Sequence, residues 1–397
     1  MATKQNKRKS YPLVNWTDGL LVRKNHLIQL EDHFINQLCE YQSYHLNRTN
    51  YGFLPFRKGE PVSGDFSITE LVTGTLEVRL KRCHAVTAGG YLIDYDADEN
   101  EELTASFHIS VEDSDDREQK WDVILMADPF ERQPSGTPDE TESVPRQPDA
   151  LPKYRLNVLP AGQVDGGELG RYYLVIGRLR RNGNRCEVDG NFIPPCSSMS
   201  SHPDLKGYYA KFGQLIDSIE KASIDILAKV ENAEKQTKLA ANIGMLCRHV
   251  MLYISDIYFS FRNEGQYYSP IRFLNVFSTL AHRLYICLGF MGKEEKEDLL
   301  KYFYEWNGVK PGAYEGVLRE NCGMRYDHHD IRLLMVTTER FLYLFNDLWT
   351  TLSRLEYIRK TLLWLSVHVN LRKPQKHAGI FWISLYLNSF LYGKGNR

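Results

Sequence analysis

An apolar stripe that begins at Leu205 constrains the fold of this chain more than any other feature of the sequence. Its members recur at steps of three and four residues, with one stutter: Leu205, Tyr208, Phe212, Leu215, Ile219, Ala222, Ile226, Val230, Ala233, Thr237 and Ala240. A stripe this narrow and long is typical of a coiled-coil seam or of a long bundle helix. Ser201 is the predicted N-cap of this helix, with Pro203 in its first turn.

The stripe leaves two kinds of packing open. Apolar helix faces usually pack inside their own chain, whereas part of a helix this long can also face a second copy of the chain. In the second case the seam between copies comprises Leu205, Phe212, Leu215, Ile219 and Ile226.

Helical periodicity continues to about residue 353, so we predict a helical bundle over residues 196–353. The further helices are expected at about 243–262, 271–291, 293–306 and 329–353. Turn residues at 263–265 and at 311–312 are expected to separate them.

The preceding residues, 1–195, are predicted to form a β-rich domain. Short apolar runs bounded by turn residues predict strands at 76–80, 107–111 and 122–126. One helix interrupts this region early, because apolar residues recur at helical spacing at Leu27, Leu30, Phe34, Leu38 and Tyr41.

Two loop features complete the β-rich region. Residues 131–152, rich in Pro and acidic residues, predict a long exposed loop. Asn182 and Gly183 lie between two strand-like runs and predict a hairpin, because both residues tolerate positive φ. Pro194 and Pro195 end the region. The predicted fold class is therefore α+β with several domains.

Composition favours a globular protein in a reducing compartment. The chain has 397 residues, 43% of them hydrophobic, and this length suggests two or three domains. Its net charge of -1 gives no support for polyanion binding by charge. The 7 cysteines are scattered and form no C-x-x-C pair, as expected of free thiols. No secretory signal and no membrane span is predicted, so we expect a cytoplasmic protein.

Residues 354–397 differ from the rest in charge. Eight basic residues and one acid give this segment a net charge of +7, and aromatic residues are interleaved with them. Basic residues are attracted to anionic lipid and aromatic rings suit the membrane interface. We predict a membrane-side docking segment that uses Trp364, Arg372, Lys373 and Trp382. The alternative is a segment that packs back on the bundle.

Few residues point to chemistry, since the sequence has no phosphate-binding glycine loop, no dinucleotide fingerprint, no H-E-x-x-H and no nucleophile elbow. His328 and His329 lie between Asp327 and Asp330, a cluster that could bind a metal but better fits a helix start in which Asp327 caps free N–H groups. We expect no catalytic residue, no metal and no cofactor.

A basic hairpin is formed by four arginines, Arg178, Arg180, Arg181 and Arg185. It could bind phosphate, although a solvated hairpin tip or an acidic protein partner explains the arginines as well. Nothing near them is similar to a base-stacking module. We therefore expect neither a nucleic acid nor a small-molecule substrate.

A series of motifs, in order along the chain, resembles the TssK family of type VI secretion baseplate proteins. The first is a Trp-x-x-Gly-Leu strand that leads into a helix start, with Trp16, Gly19, Leu20 and His26 in the matching positions. The later motifs lie at 144–156, 192–196, 269–284 and 326–331, the last similar to a Tyr-x-His-x-Asp-Leu segment.

This resemblance implies a structural baseplate subunit of a contractile secretion system and no enzyme. It implies a shell domain similar to phage receptor-binding proteins (1–195), a helical neck (196–353) and a head, here shortened to 354–397. It further implies a homotrimer at the cytoplasmic face of the inner membrane. The region around Trp16, Gly19, Leu20 and His26 would bind the wedge proteins TssF and TssG. The head would join the membrane complex, and because the head is short the sequence does not identify its partner there.

Two alternatives remain open at the level of the sequence. One is an adaptor of another contractile injection machine, such as a phage tail, on the same scaffold. The other is a metal-dependent enzyme that uses His328 and His329.

Overall fold

The computed structural model of the chain describes residues 10–355 except 58, 60–61, 73, 100, 109–118, 139, 164–168, 183–184 and 233–236. Within them are nine strands and seven α-helices. All nine strands end before residue 189, and six of the seven α-helices begin after residue 202. The predicted α+β composition is thereby confirmed, while the division at residue 195 into independent domains stays a prediction. We call the two parts the β unit and the helical unit.

The β unit begins with α1 (Lys24–His45), the early helix that periodicity predicted. Five strands then form the first sheet: β1 (Gly52–Phe53), β2 (Gly64–Val72), β3 (Thr75–Val86), β4 (Leu92–Asp96) and β5 (Leu103–His108). The other four strands each pair antiparallel with β3. Strands β2 and β1 lie along one edge of β3, and β5 and β4 lie along the other. Alternate β3 residues, among them Val78 and Leu80, are fully buried, as a strand with one core-facing side requires.

The second sheet has the order β7-β6-β8-β9 and is antiparallel throughout. Its strands are β6 (Lys120–Ser135), β7 (Asp149–Pro160), β8 (Tyr173–Asn182) and β9 (Arg185–Val188). The hairpin predicted at Asn182 is confirmed, because Asn182 pairs with Arg185. The loop predicted at 131–152 is shorter than expected: Ser135 pairs with Asp149, so the strands continue into this polar region.

The helical unit contains six helices: α2 (Pro203–Glu231), α3 (Lys238–Glu264), α4 (Pro270–Phe290), α5 (Lys293–Asn307), α6 (Pro311–Cys322) and α7 (Ile331–Arg354). The continuous helix predicted through Ala240 is in fact two helices. Asn232 ends α2 by donating its N–H to the Ala228 carbonyl oxygen at 3.2 Å. Thr237 then starts α3, its hydroxyl accepting the Ala240 N–H at 3.1 Å.

Two further helix starts differ from prediction. The N-cap of α2 is His202 rather than Ser201, and its ring accepts the Asp204 N–H at 3.2 Å, while Pro203 occupies the first turn as expected. The sequence prediction lacks helix α6, because Pro311 and Gly312 predict a break between helices. A proline in the first turn forfeits only an N–H that lacks a helical partner in any case, so Pro311 begins a helix.

The α2 stripe packs inside the chain. Phe212 stacks on Phe273 of α4 with 5.6 Å between ring centroids, and α2 also packs against α3 and α7. Burying a side chain of this size contributes roughly 1.5–3 kcal/mol. Packing inside the chain therefore accounts for the stripe, since the chain itself buries all five residues that a seam between copies would use: Leu205, Phe212, Leu215, Ile219 and Ile226.

Among the helices of the described residues, α4 has the length and apolar composition to cross a membrane, contrary to the expectation of no such stretch. Its Phe273, Phe277 and Leu280 are buried in the core of the helical unit. Core packing therefore accounts for the apolar composition of α4.

Candidate interaction surface

The four residues predicted to bind the wedge lie together at the start of α1. A turn in which the Leu20 N–H donates to the Thr17 carbonyl at 3.1 Å brings Trp16 beside His26, with 6.2 Å between ring centroids. Gly19 has φ +79° in this turn, a conformation that favours glycine. The Trp16 side chain is half exposed, so it is not a core residue of this chain.

Ion pairs attach helix α1 to the second sheet. Arg132 of β6 donates to Asp32 at 2.7 Å, and Arg171, just before β8, donates to Glu40 at 2.7 Å. Among the residues of α1, Cys39 is the one that is fully buried. Ion pairs thus hold the face of α1 that an ordinary amphipathic helix would cover with apolar contacts.

The apolar stripe of α1 is exposed on the outside of the chain apart from Leu30, which is half-buried. Leu27, Phe34, Leu38 and Tyr41 are between 51% and 67% exposed. A surface helix of a globular protein normally turns such a stripe toward the core. Contiguous exposed apolar residues mark interaction sites, so this outward face, together with Trp16, is the candidate interaction surface.

The segment before α1 is fixed against the same sheet. The Tyr11 ring stacks on Phe130 of β6 with 4.0 Å between centroids, and His33 of α1 contacts the Tyr11 carbonyl oxygen at 2.7 Å. Both α1 and the segment before it are therefore held to the second sheet, so the apolar face lies on a fixed helix.

His328 and His329 are used in contacts between the two units. The His328 Nε2–H donates to the Tyr51 carbonyl oxygen at 2.9 Å, and the Tyr326 hydroxyl donates to His328 Nδ1 at 2.6 Å. The Nε2 of His329 lies 3.0 Å from the Tyr51 hydroxyl. Both rings thus contact Tyr51 of the β unit. Within the described residues no group of three or more His, Cys, Asp or Glu side chains is arranged to hold a metal.

Burial sets the protonation state of this cluster. It lowers the pKa of His328 to about 4, with the neighbouring His329 adding to the effect, so His328 is neutral at pH 7. Asp327 does not cap α7 as predicted. Its carboxylate accepts the His329 N–H at 2.9 Å in the turn before the helix, and Asp330 is the N-cap.

The basic hairpin pairs with neighbouring side chains. Arg178 donates to the buried carboxylate of Asp122 at 2.7 Å, and Arg180 contacts Glu187 at 2.7 Å. Arg181 donates to the side-chain oxygen of Gln119 at 3.2 Å. These contacts favour a structural role for Arg178, Arg180 and Arg181 over phosphate binding. The residues predicted for membrane-side docking, Trp364, Arg372, Lys373 and Trp382, lie outside the described residues.

The fold is similar to solved structures of TssK. A crystal structure of TssK superposes with a TM-score of 0.50 and 16% identity, over 84% of this chain and 70% of that one. A chain of the cryo-EM TssK-TssF-TssG baseplate subcomplex of the type VI secretion system gives 0.49 and 14%, over 84% and 99%. TssK from EAEC bound to a nanobody gives 0.46 and 16%, over 82% and 99%.

No protein-family model matches the sequence, and no curated protein matches it in sequence. At these identities the likeness shows the fold alone. The chain therefore has a TssK-like fold.

Proposed function

We propose that this protein is a structural baseplate subunit of a type VI, contractile secretion system and has no catalytic activity. The observation that carries the proposal is the outward apolar face of α1, held to the sheet by ion pairs. It implies a protein partner, and the TssK-like fold together with the ordered motifs at 15–27 and 326–331 indicates which kind of machine supplies that partner.

The proposed partner of the α1 face is the baseplate wedge. TssF and TssG are the partners of TssK in the solved subcomplex named above. We transfer them to this chain because its Trp16 and His26 match the family motif and lie beside the apolar face. Burying apolar side chains such as Phe34 and Leu38 at an interface supplies the kind of central anchors on which binding depends.

The remaining parts of the proposal come from the family resemblance. The protein would act as a homotrimer at the cytoplasmic face of the inner membrane, with the β unit as shell, the helical unit as neck and residues 354–397 as a short membrane-side head. Because the α2 stripe is buried, the trimer would use other surfaces of the chain.

The test replaces Phe34 and Leu38, one helical turn apart on α1, by aspartate. The matched control replaces Ile286 and Phe290, two exposed apolar residues with the same spacing on α4. The double variant on α1 is expected to lose co-purification with TssF and TssG from a producing cell, while the control retains it. Equal retention of the wedge proteins by both variants would contradict the assignment.

A further inference from the structure

The start of α7 joins the two units through a set of contacts that the proposed function does not use. We define the clasp as Tyr326, His328, His329 and Arg332, which lie just before or in the first turn of α7. We propose that the clasp is a positioning element that fixes the angle between the β unit and the helical unit.

The first half of the clasp contacts Tyr51, the residue before β1. His328 donates to the Tyr51 backbone carbonyl and His329 contacts its hydroxyl, so one β-unit residue is held at both its main chain and its side chain. His328 and Tyr51 are both buried. A buried carbonyl that lost this donor would remain unpaired, which makes the contact costly to break.

The second half of the clasp contacts the loop after β9. Arg332 donates to the carbonyl oxygens of Gly190 at 3.1 Å and Asn191 at 3.2 Å. The same guanidinium pairs with Asp204 at the start of α2. Arg332 therefore connects the β unit with two helices of the helical unit, and the planar fork of arginine suits several acceptors at once.

The two halves contact the β unit at separate places along its chain. Tyr51 lies beside the first sheet, and Gly190 follows the last strand of the second sheet. A single point of contact would permit rotation, whereas two separate points restrict it.

Helix α7 extends from the clasp toward the C-terminal segment. Helix α7 has 24 residues and therefore extends about 36 Å from the clasp to Arg354. Residues 355–397 follow this far end. A clasp that fixes the angle of the β unit thereby also fixes where the start of the C-terminal segment lies relative to that unit.

The experiment measures how firmly the two units are held relative to each other, as the width of a distance distribution obtained by electron paramagnetic resonance on the purified full-length protein. Genetically encoded spin labels at Leu92 of β4 and Leu252 of α3, both exposed, report the distance between the units. A second pair at Leu252 and Tyr304, both in the helical unit, serves as the internal reference.

Three variants are compared with the wild type. The double variant His329→Phe with Arg332→Met removes contacts from both halves of the clasp. The matched control, Arg340→Met, removes an arginine of the same helix whose ion pair with Glu320 lies within the helical unit. The third variant, Tyr51→Phe with Arg332→Lys, is a conservative change to both halves of the clasp. It takes the place of the first variant if that one does not fold.

The double variant is expected to broaden the 92–252 distance distribution at least twofold, with the 252–304 distribution unchanged. The conservative variant is expected to broaden it less, and Arg340→Met should leave both distributions as in the wild type. An unchanged 92–252 width in either folded clasp variant overturns the proposal, because the shared apolar core then suffices to fix the angle. No wedge protein is needed, so the result is independent of the proposed function.

Discussion

Helices α1 and α2 carry similar apolar stripes in the sequence, yet the fold uses them in opposite ways. The α2 stripe is covered by α3, α4 and α7, and Phe212 and Ile219 are fully buried. The α1 stripe faces outward, and ion pairs from Arg132 and Arg171 hold the other side of the helix. Periodicity therefore predicts a helix with an apolar face, but the neighbouring elements decide whether that face is core or interface.

The largest effect expected from this comparison is that of Ile219→Asp. The substitution would bury an unpaired carboxylate in the α2 stripe, and we expect it to lower the free energy of unfolding by roughly 3–5 kcal/mol. Urea unfolding of the variant and the wild type measures the difference. If the variant instead kept wild-type stability and only changed its oligomeric state, the stripe would be a seam between copies after all.

An intermediate effect is expected on lowering the pH, because His328 is held neutral at the junction of the two units. Its pKa of about 4 in the folded chain lies below the ordinary value of 6.5, so the unfolded chain binds this proton more tightly. The stabilisation is fully present above pH 6.5 and is lost as the pH falls toward 4. Between pH 7 and pH 5 the free energy of unfolding should fall by roughly 2 kcal/mol from this group.

Urea unfolding at the two pH values tests this dependence. His328→Gln keeps a donor and an acceptor without a proton to titrate, and it should flatten the dependence. His26→Gln, in the first turn of α1 and remote from the junction of the two units, is the control. An equally steep dependence in His328→Gln would show that other groups dominate the acid response.

The smallest effect on stability is expected for Leu38→Asp, the counterpart of Ile219→Asp on the outward face of α1. Because the side chain is already 67% exposed, the new carboxylate stays in water and the free energy of unfolding should change by about 0.5 kcal/mol or less. The same urea measurement applies. A loss comparable to that of Ile219→Asp would mean that the α1 face is covered in the free protein.

The sequence predicts most residues of the candidate surface, but it does not predict which way α1 turns its apolar stripe. Helical spacing predicted α1, and motif resemblance selected Trp16 and His26. Nothing local to α1 indicated that its apolar side would face away from the sheet. That outcome depends on Arg132 and Arg171, which lie 100 and 131 residues from their acidic partners in α1.

The sequence by itself determined where most helices and strands form, because helical hydrogen bonds, caps and hairpin turns act between residues a few positions apart. It was misleading where one local signal has two outcomes, as at Pro311, which starts a helix rather than ending one. The tertiary structure alone decided which faces are covered and how the clasp forms. His328 and the carbonyl of Tyr51 are 277 residues apart, and no periodicity specifies a contact at that distance, since it depends on the packing of everything between them.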